Sequence, residues 1–201
     1  MTTLEGPRSA GDDRVRGLVL VGVLVAIMWV VEIVDVFAGD LDSAGIRPRD
    51  TDGLVGIALA PVLHGGFGHL MGNTVPFLIL GTAIAVGGLA RIAAVSVIVA
   101  VVGGLGVWLT APANTVHIGA SGLVFGFASY LVARGIYSRR PVHLAVGLAV
   151  IFIYGTTLLF GLVPTPGVSW QGHAFGAIGG VVAAWLLDRR SRRGAATTPV
   201  A

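Results

Sequence analysis

The chain has no cysteine and no lysine: all thirteen of its basic residues are arginine. Without cysteine, disulfides, thiol catalysis and cysteine-ligated metals are excluded. Charge is also scarce, at 11% of residues, against about 25% in a soluble domain. What fills the 201 residues is apolar side chain, 55% of the total, with a mean hydropathy of +0.88. That composition belongs to a membrane protein. The isoelectric point near 10.2 invites a nucleic-acid reading. However, the arginines stand in short clusters between apolar runs, as orientation signals do, so no nucleic-acid partner is expected and the partner surface is the lipid bilayer.

An apolar run from Gly17 to about Phe37 has no small-residue cleavage site after it. At roughly 20 residues it is long enough to span, and longer than the ~7–15 of a signal-peptide core. Six spans can be drawn, at about 17–38, 68–88, 91–110, 118–136, 142–162 and 170–188. The expected fold is therefore all-α, a six-helix membrane bundle over 17–188 between tails at 1–16 and 189–201. Eleven of the thirteen arginines fall on one side of this alternation; only Arg47 and Arg49 lie opposite. The positive-inside rule makes the arginine side cytoplasmic, with both termini there and the protein multi-pass in the cell membrane. The long external segment 39–67 is polar and turn-rich, then apolar but too short to span. It predicts an interfacial, membrane-lying element.

Polar residues are sparse in the spans, and they converge. Spans two, four and six all run inward, so their outer ends are their N-terminal ends. Span two opens with "HGGFGHLMGNTVP", carrying His64, His69 and Asn73; span four with "HIGASG", carrying Ser121; span six with "WQGHAFGAIGG", carrying His173. At a rise of ~1.5 Å per residue, these side chains lie at one shallow depth. A polar group in a span is costly unless paired or facing a wet cavity, and a hydroxyl with an imidazole is the minimal nucleophile-and-base pair. Ser121 at a helix start also meets free backbone N–H groups that could receive an oxyanion. Gly119 and Gly122 flank Ser121, and Gly172, Gly176 and Gly180 recur every fourth residue around His173, a spacing that lets helix backbones approach. Taken singly, each element has an ordinary explanation: a membrane serine usually bonds its own helix, and His64 and His117 stand where imidazole is cheap. The coincidence of depth favours a site.

These residues resemble the rhomboid intramembrane serine proteases. "GASG" at 119–122 looks like that family's GxSG motif, "HGGFGHLMGN" at 64–73 is similar to its HxxxxHxxxN pattern, and "GHAFGAIGG" at 172–180 resembles the motif around its catalytic histidine. The resemblance implies a serine endopeptidase with a Ser121–His173 dyad and no catalytic acid. It also implies His69, Asn73 and the Ser121 N–H as oxyanion donors, with His64 in a supporting role. The substrate would be a single-pass transmembrane protein cut near its outer end. Segment 163–169 would be a flexible cap, and no metal or cofactor is needed, consistent with the absence of any HExxH.

Two departures stand out. Val55 and Gly56 occupy the place where many members carry a Trp-Arg pair, and Phe125 stands where tyrosine is common, still able to stack on His173. Glu32 and Asp35 are read as interfacial or in a wet cavity, and Asp188 as too distant to orient His173. The alternative function is a catalytically silent relative that binds membrane clients. A transporter is disfavoured because the polar cluster is shallow and no repeat is evident.

Overall fold

The computed structural model describes residues 9–189; Arg8, Arg190, Arg192 and Arg193 of the two expected tails lie outside the described residues. The described residues form helices α1 (Ala10–Ala38), α2 (Gly56–Leu59), α3 (Phe67–Ala85), α4 (Leu89–Thr110), α5 (Ser121–Ser138), α6 (Pro141–Phe160) and α7 (Trp170–Asp188). Three short 3-10 turns lie between α1 and α3, and the extended pairing is a single antiparallel bridge, Ile46 with His117.

Local chemistry sets the helix ends. Ser9 caps α1 by accepting from the Asp12 N–H at 3.2 Å, and Asp12 and Asp13 sit at the positive end of the helix dipole. Gly39, with φ 65°, ends α1. Pro141 begins α6, where its missing N–H leaves no bond unmade. Ser169 caps α7 by accepting from the Gly172 N–H at 3.2 Å.

Four helices, α1, α3, α4 and α6, are long and apolar enough to cross a membrane on their own. The other two expected spans, α5 and α7, are not among them. Both are central: the most extensive packing is between α5 and α7, followed by that between α7 and α4. Helices surrounded by protein rather than lipid can carry glycine, serine and histidine in place of aliphatic residues.

Glycine brings α5 and α7 together. A Cβ at Gly176 would collide with the Gly122 carbonyl, and one at Gly180 with the Gly126 carbonyl. Only side chains without Cβ permit this approach. The outer layer is conventional packing, with Phe77 on α3 meeting Phe127 on α5 at 5.3 Å between ring centroids.

At the arginine-rich end, Asp188 is buried, 2% exposed. It accepts from Arg91 Nη1 at 3.0 and 3.1 Å and from the Tyr130 hydroxyl at 3.1 Å. It therefore joins α4, α5 and α7, far from the His173 end as expected. Glu32 is buried in the protein, 3% exposed, and its Oε2 has no hydrogen-bond partner. Asp35 instead ties down the chain after α1, accepting from the Leu41 N–H at 2.7 Å.

Segment 39–67 is compact and stitched to the bundle. Trp108 donates from Nε1 to the Asp50 carbonyl at 2.8 Å, and the Arg49 N–H donates to the Trp108 carbonyl at 3.1 Å. Gly56 is buried, and a Cβ there would strike the Gly45 backbone. No side chain of any size fits at that position. The segment is held instead by this Trp108 contact and by an Arg47–Asp50 ion pair of 2.7 Å.

Gly176→Leu is expected to force α5 and α7 apart and to yield protein that fails to purify as a monodisperse, helical species. Size-exclusion chromatography with circular dichroism checks this, and a well-folded Gly176→Leu protein would refute the packing account.

Candidate active site

The N-terminal ends of α3, α5 and α7 meet at one end of the bundle. Gly119 takes φ 107° just before α5, a conformation that favours glycine. Its N–H donates to the Ala60 carbonyl at 2.8 Å. His64 holds the next residue, its Nε2 accepting from the Ala120 N–H at 3.4 Å. Ser121 is thus presented as the first residue of α5 by a loop pinned on both preceding residues. The first N–H groups of a helix have no intrahelical acceptor, so those of Ser121 and Gly122 are free to bind an anion.

His173 lies one turn into α7, 7% exposed. Its Nδ1 is 2.7 Å from the carbonyl of Gly161, the residue that ends α6. A carbonyl can only accept, so Nδ1 carries the proton and Nε2 keeps its lone pair. Phe125 stacks on the imidazole, with centroids 4.0 Å apart and 4° between planes. Hydrogen bond and stack together fix the ring. Gly161 tolerates no side chain, since a Cβ there would meet the Phe125 ring and His173 Nδ1. No hydrogen bond joins Ser121 to His173 among the described residues.

The same proton accounting applies to His69. Its Nδ1 accepts from the Gly65 N–H at 3.4 Å, so the proton sits on Nε2. That Nε2 is 2.7 Å from where a Cβ of Gly119 would stand, which places a donor beside the GASG stretch. Asn73 spends one amide hydrogen on the His69 carbonyl at 3.0 Å, leaving the other free, with Nδ2 3.9 Å from the same Gly119 position. His64 packs edge-on against His69, with centroids 5.1 Å apart. The structure therefore brings His64, His69, Asn73 and Gly119 together on one side of Ser121. Contact between Gly122 on α5 and Gly176 on α7 connects that group to the helix of His173.

Two features escape a sequence reading. The Gly161 carbonyl is one; a backbone acceptor leaves no mark in the sequence. The other is a chain of hydrogen bonds through His117. Thr115 Oγ1 donates to the Pro112 carbonyl at 2.6 Å, so the 2.8 Å contact between Thr115 and His117 Nε2 must have its proton on the ring. His117 Nδ1 then accepts from the Ser169 hydroxyl at 2.7 Å. Ser169 in turn caps α7. One imidazole thus links the loop leading to Ser121 with the start of the helix that bears His173. His117 and Ser169 also line, with Ser121, Ile57, Val107 and Gly172, a cavity of about 50 Å³. Among the described residues, no group of three or more His, Cys, Asp or Glu side chains is arranged to hold a metal ion.

Burial pushes His117 below the usual imidazole range. It pushes His64 further, to about 4, with His69 adding to the effect. A histidine whose folded pKa is depressed supports the fold fully above its unfolded value of 6.5, and that support is lost as pH falls toward 4. Relative to His64→Phe, wild type is expected to lose about 3 kcal/mol of stability between pH 6.5 and 4, at ~1.4 kcal/mol per pH unit. Thermal unfolding of both proteins across that window measures the difference; parallel curves would contradict the assignment.

Residues 52–190 match the Rhomboid domain family, a stretch that runs from the segment before α2 through α7. A Mycobacterium tuberculosis protein, named only as uncharacterised, is 45% identical over 179 residues, covering 84% of this chain and 74% of its own length. A similarly named Mycobacterium leprae protein is 42% identical over 200 residues, covering 93% and 79%. The Bacillus subtilis protein named "Putative rhomboid protease YdcA" is 25% identical over 133 residues, covering 66% of each chain. The residues that assemble at the ends of α3, α5 and α7 fall inside the matched stretch, and this chain is a multi-pass membrane protein that belongs to the rhomboid family.

Proposed function

We propose that the chain is an intramembrane serine endopeptidase in which Ser121 is the nucleophile and His173 the base. The observation that carries this reading is the Gly161 carbonyl on His173 Nδ1, 2.7 Å away. It leaves Nε2 as the acceptor, on a helix held against the helix of Ser121 by glycine contact. Here a backbone carbonyl takes the orienting part that a carboxylate plays in a triad.

In the proposed reaction Ser121 Oγ attacks the scissile carbonyl carbon while His173 Nε2 takes the hydroxyl proton. The resulting oxyanion is received by the Ser121 N–H, the His69 Nε2–H and the second Asn73 amide hydrogen. Collapse breaks the C–N bond, and His173 returns the proton to the leaving amine. Water then attacks the acyl-enzyme, His173 takes its proton, and Ser121 is released protonated. Because the site lies at the helix N-termini, the scissile bond is one near the outer end of a substrate's transmembrane segment. The protein is read as spanning the cell membrane six times, with α5 and α7 as spans four and six and both termini cytoplasmic by the arginine distribution.

One observation favours a second reading. The absence of a Ser121–His173 hydrogen bond is what a catalytically silent client-binding relative would show, although catalytic hydrogen bonds also tighten only on substrate binding.

Cleavage of a single-pass transmembrane protein by the purified chain in liposomes distinguishes the two readings. Wild type is expected to cut, and Ser121→Ala and His173→Ala to lose cleavage while remaining folded. Asn73→Ala is expected to retain about 10⁻² to 10⁻³ of the rate, the usual loss for an oxyanion donor. Folded wild type that cuts no membrane substrate would support the silent reading.

A further inference from the structure

A second cavity, of about 370 Å³, opens at the opposite, arginine-rich end of the bundle. That volume lies within the roughly 300–1,000 Å³ of small-molecule sites. Its polar wall is Arg14 from α1, Arg134 from the last turns of α5 and His143 from the first turn of α6; Leu131, Val142 and Val146 are part of its apolar wall. These three polar side chains come from helix ends, the level at which a bilayer's headgroups begin.

The charges here do not balance. Two guanidinium groups, Arg91 and Arg134, share one buried carboxylate, Asp188. Arg91 and Tyr130 use its oxygens in hydrogen bonds. Arg134 Nε comes within 3.3 Å of Oδ1, yet it is covered from solvent and makes no hydrogen bond. Arg14 adds a further positive charge to the same cavity. Asp13 lies against Gly88 and is not among the residues that line it. Two guanidinium groups and an imidazole beside an apolar wall, with one carboxylate shared between two arginines, call for an anion that carries hydrocarbon.

We propose that this cavity binds the phosphate of an anionic phospholipid from the leaflet at the arginine-rich end, with Arg14 and Arg134 on the phosphate and the acyl chain lying along Leu131, Val142 and Val146. Clustered basic groups at this level attract anionic headgroups strongly. The apolar wall selects a lipid over free phosphate. The bound lipid bridges α1 and α6, which contribute Arg14 and Val142, His143 and Val146 to the cavity.

The test is native mass spectrometry of the full-length detergent-purified protein with phosphatidylglycerol or phosphatidylcholine added, alongside thermal unfolding with each lipid and with inorganic phosphate. One phosphatidylglycerol is expected to be retained and to raise the melting temperature, while phosphatidylcholine and inorganic phosphate do neither. Arg14→Glu, at an exposed helix position, should weaken retention about fivefold or more, the effect of roughly one basic residue at a membrane surface. Val146→Trp fills the cavity and leaves every charge in place, so it should do the same. Equal retention of the two lipids, or undiminished phosphatidylglycerol binding by folded Arg14→Glu protein, would overturn the proposal. Stabilisation by inorganic phosphate to the same degree would assign the cavity to a free anion and overturn the lipid assignment.

Discussion

The structure depends on backbone-to-backbone contact between α5 and α7. Gly176 sits on the Gly122 carbonyl and Gly180 on the Gly126 carbonyl, closer than any residue with a Cβ would allow. In a membrane there is little hydrophobic gain from bringing two helices together, since lipid tails are as apolar as leucine; close packing supplies the attraction. That contact sets the distance between a helix beginning at Ser121 and a helix bearing His173, and everything at the site is built around it. Gln171, His173 and Asn73 are all buried there, which helix-by-helix insertion into lipid alone would not favour.

The two ends of the bundle handle polarity differently. At the arginine-rich end, Asp188 draws Arg91 and Tyr130 into a three-helix tie and leaves positive charge in excess. Around Ser121 at the other end the polar side chains are imidazoles and a carboxamide, and three imidazoles have a defined proton: on Nδ1 in His173 because it faces a carbonyl, and on Nε2 in His69 and His117 because an N–H or O–H reaches their Nδ1. Donors of His69 and Asn73 thereby stand beside Gly119, and His173 keeps Nε2 as an acceptor. A neutral, pre-oriented set of groups suits reversible proton transfer better than a fixed ion pair does.

Much of this was legible in the chain itself. The apolar runs and their glycine and proline punctuation mark the long helices, and the shared shallow depth of His69, Asn73, Ser121 and His173 singles them out before any coordinates. The stacking of Phe125 on His173 is what the family resemblance implies for the position four residues after Ser121. What could not be read falls into two physical classes. The Gly161 carbonyl and the folding of 39–67 around Gly45, Gly53 and Gly56 depend on backbone approach, which side-chain identity does not encode. The burial of Glu32 depends on which way α1 turns, and a helix apolar on nearly all sides carries no periodicity to reveal it. His117 was undervalued because a boundary histidine is unremarkable until its neighbours in space are known. The lower hydropathy of α5 and α7 reflects their central place.

At the site's end of the bundle, two serines stand near an imidazole: Ser121, by its helix's contact with that of His173, and Ser169, by a direct 2.7 Å hydrogen bond to His117. The central claim is that the first is the reactive one. Labelling the folded, detergent-purified protein with a fluorophosphonate and mapping the modified peptide tests it directly. The account predicts a single adduct on Ser121, absent when His173 is replaced by alanine. An adduct on Ser169, or none at all in protein shown to be folded, would contradict it.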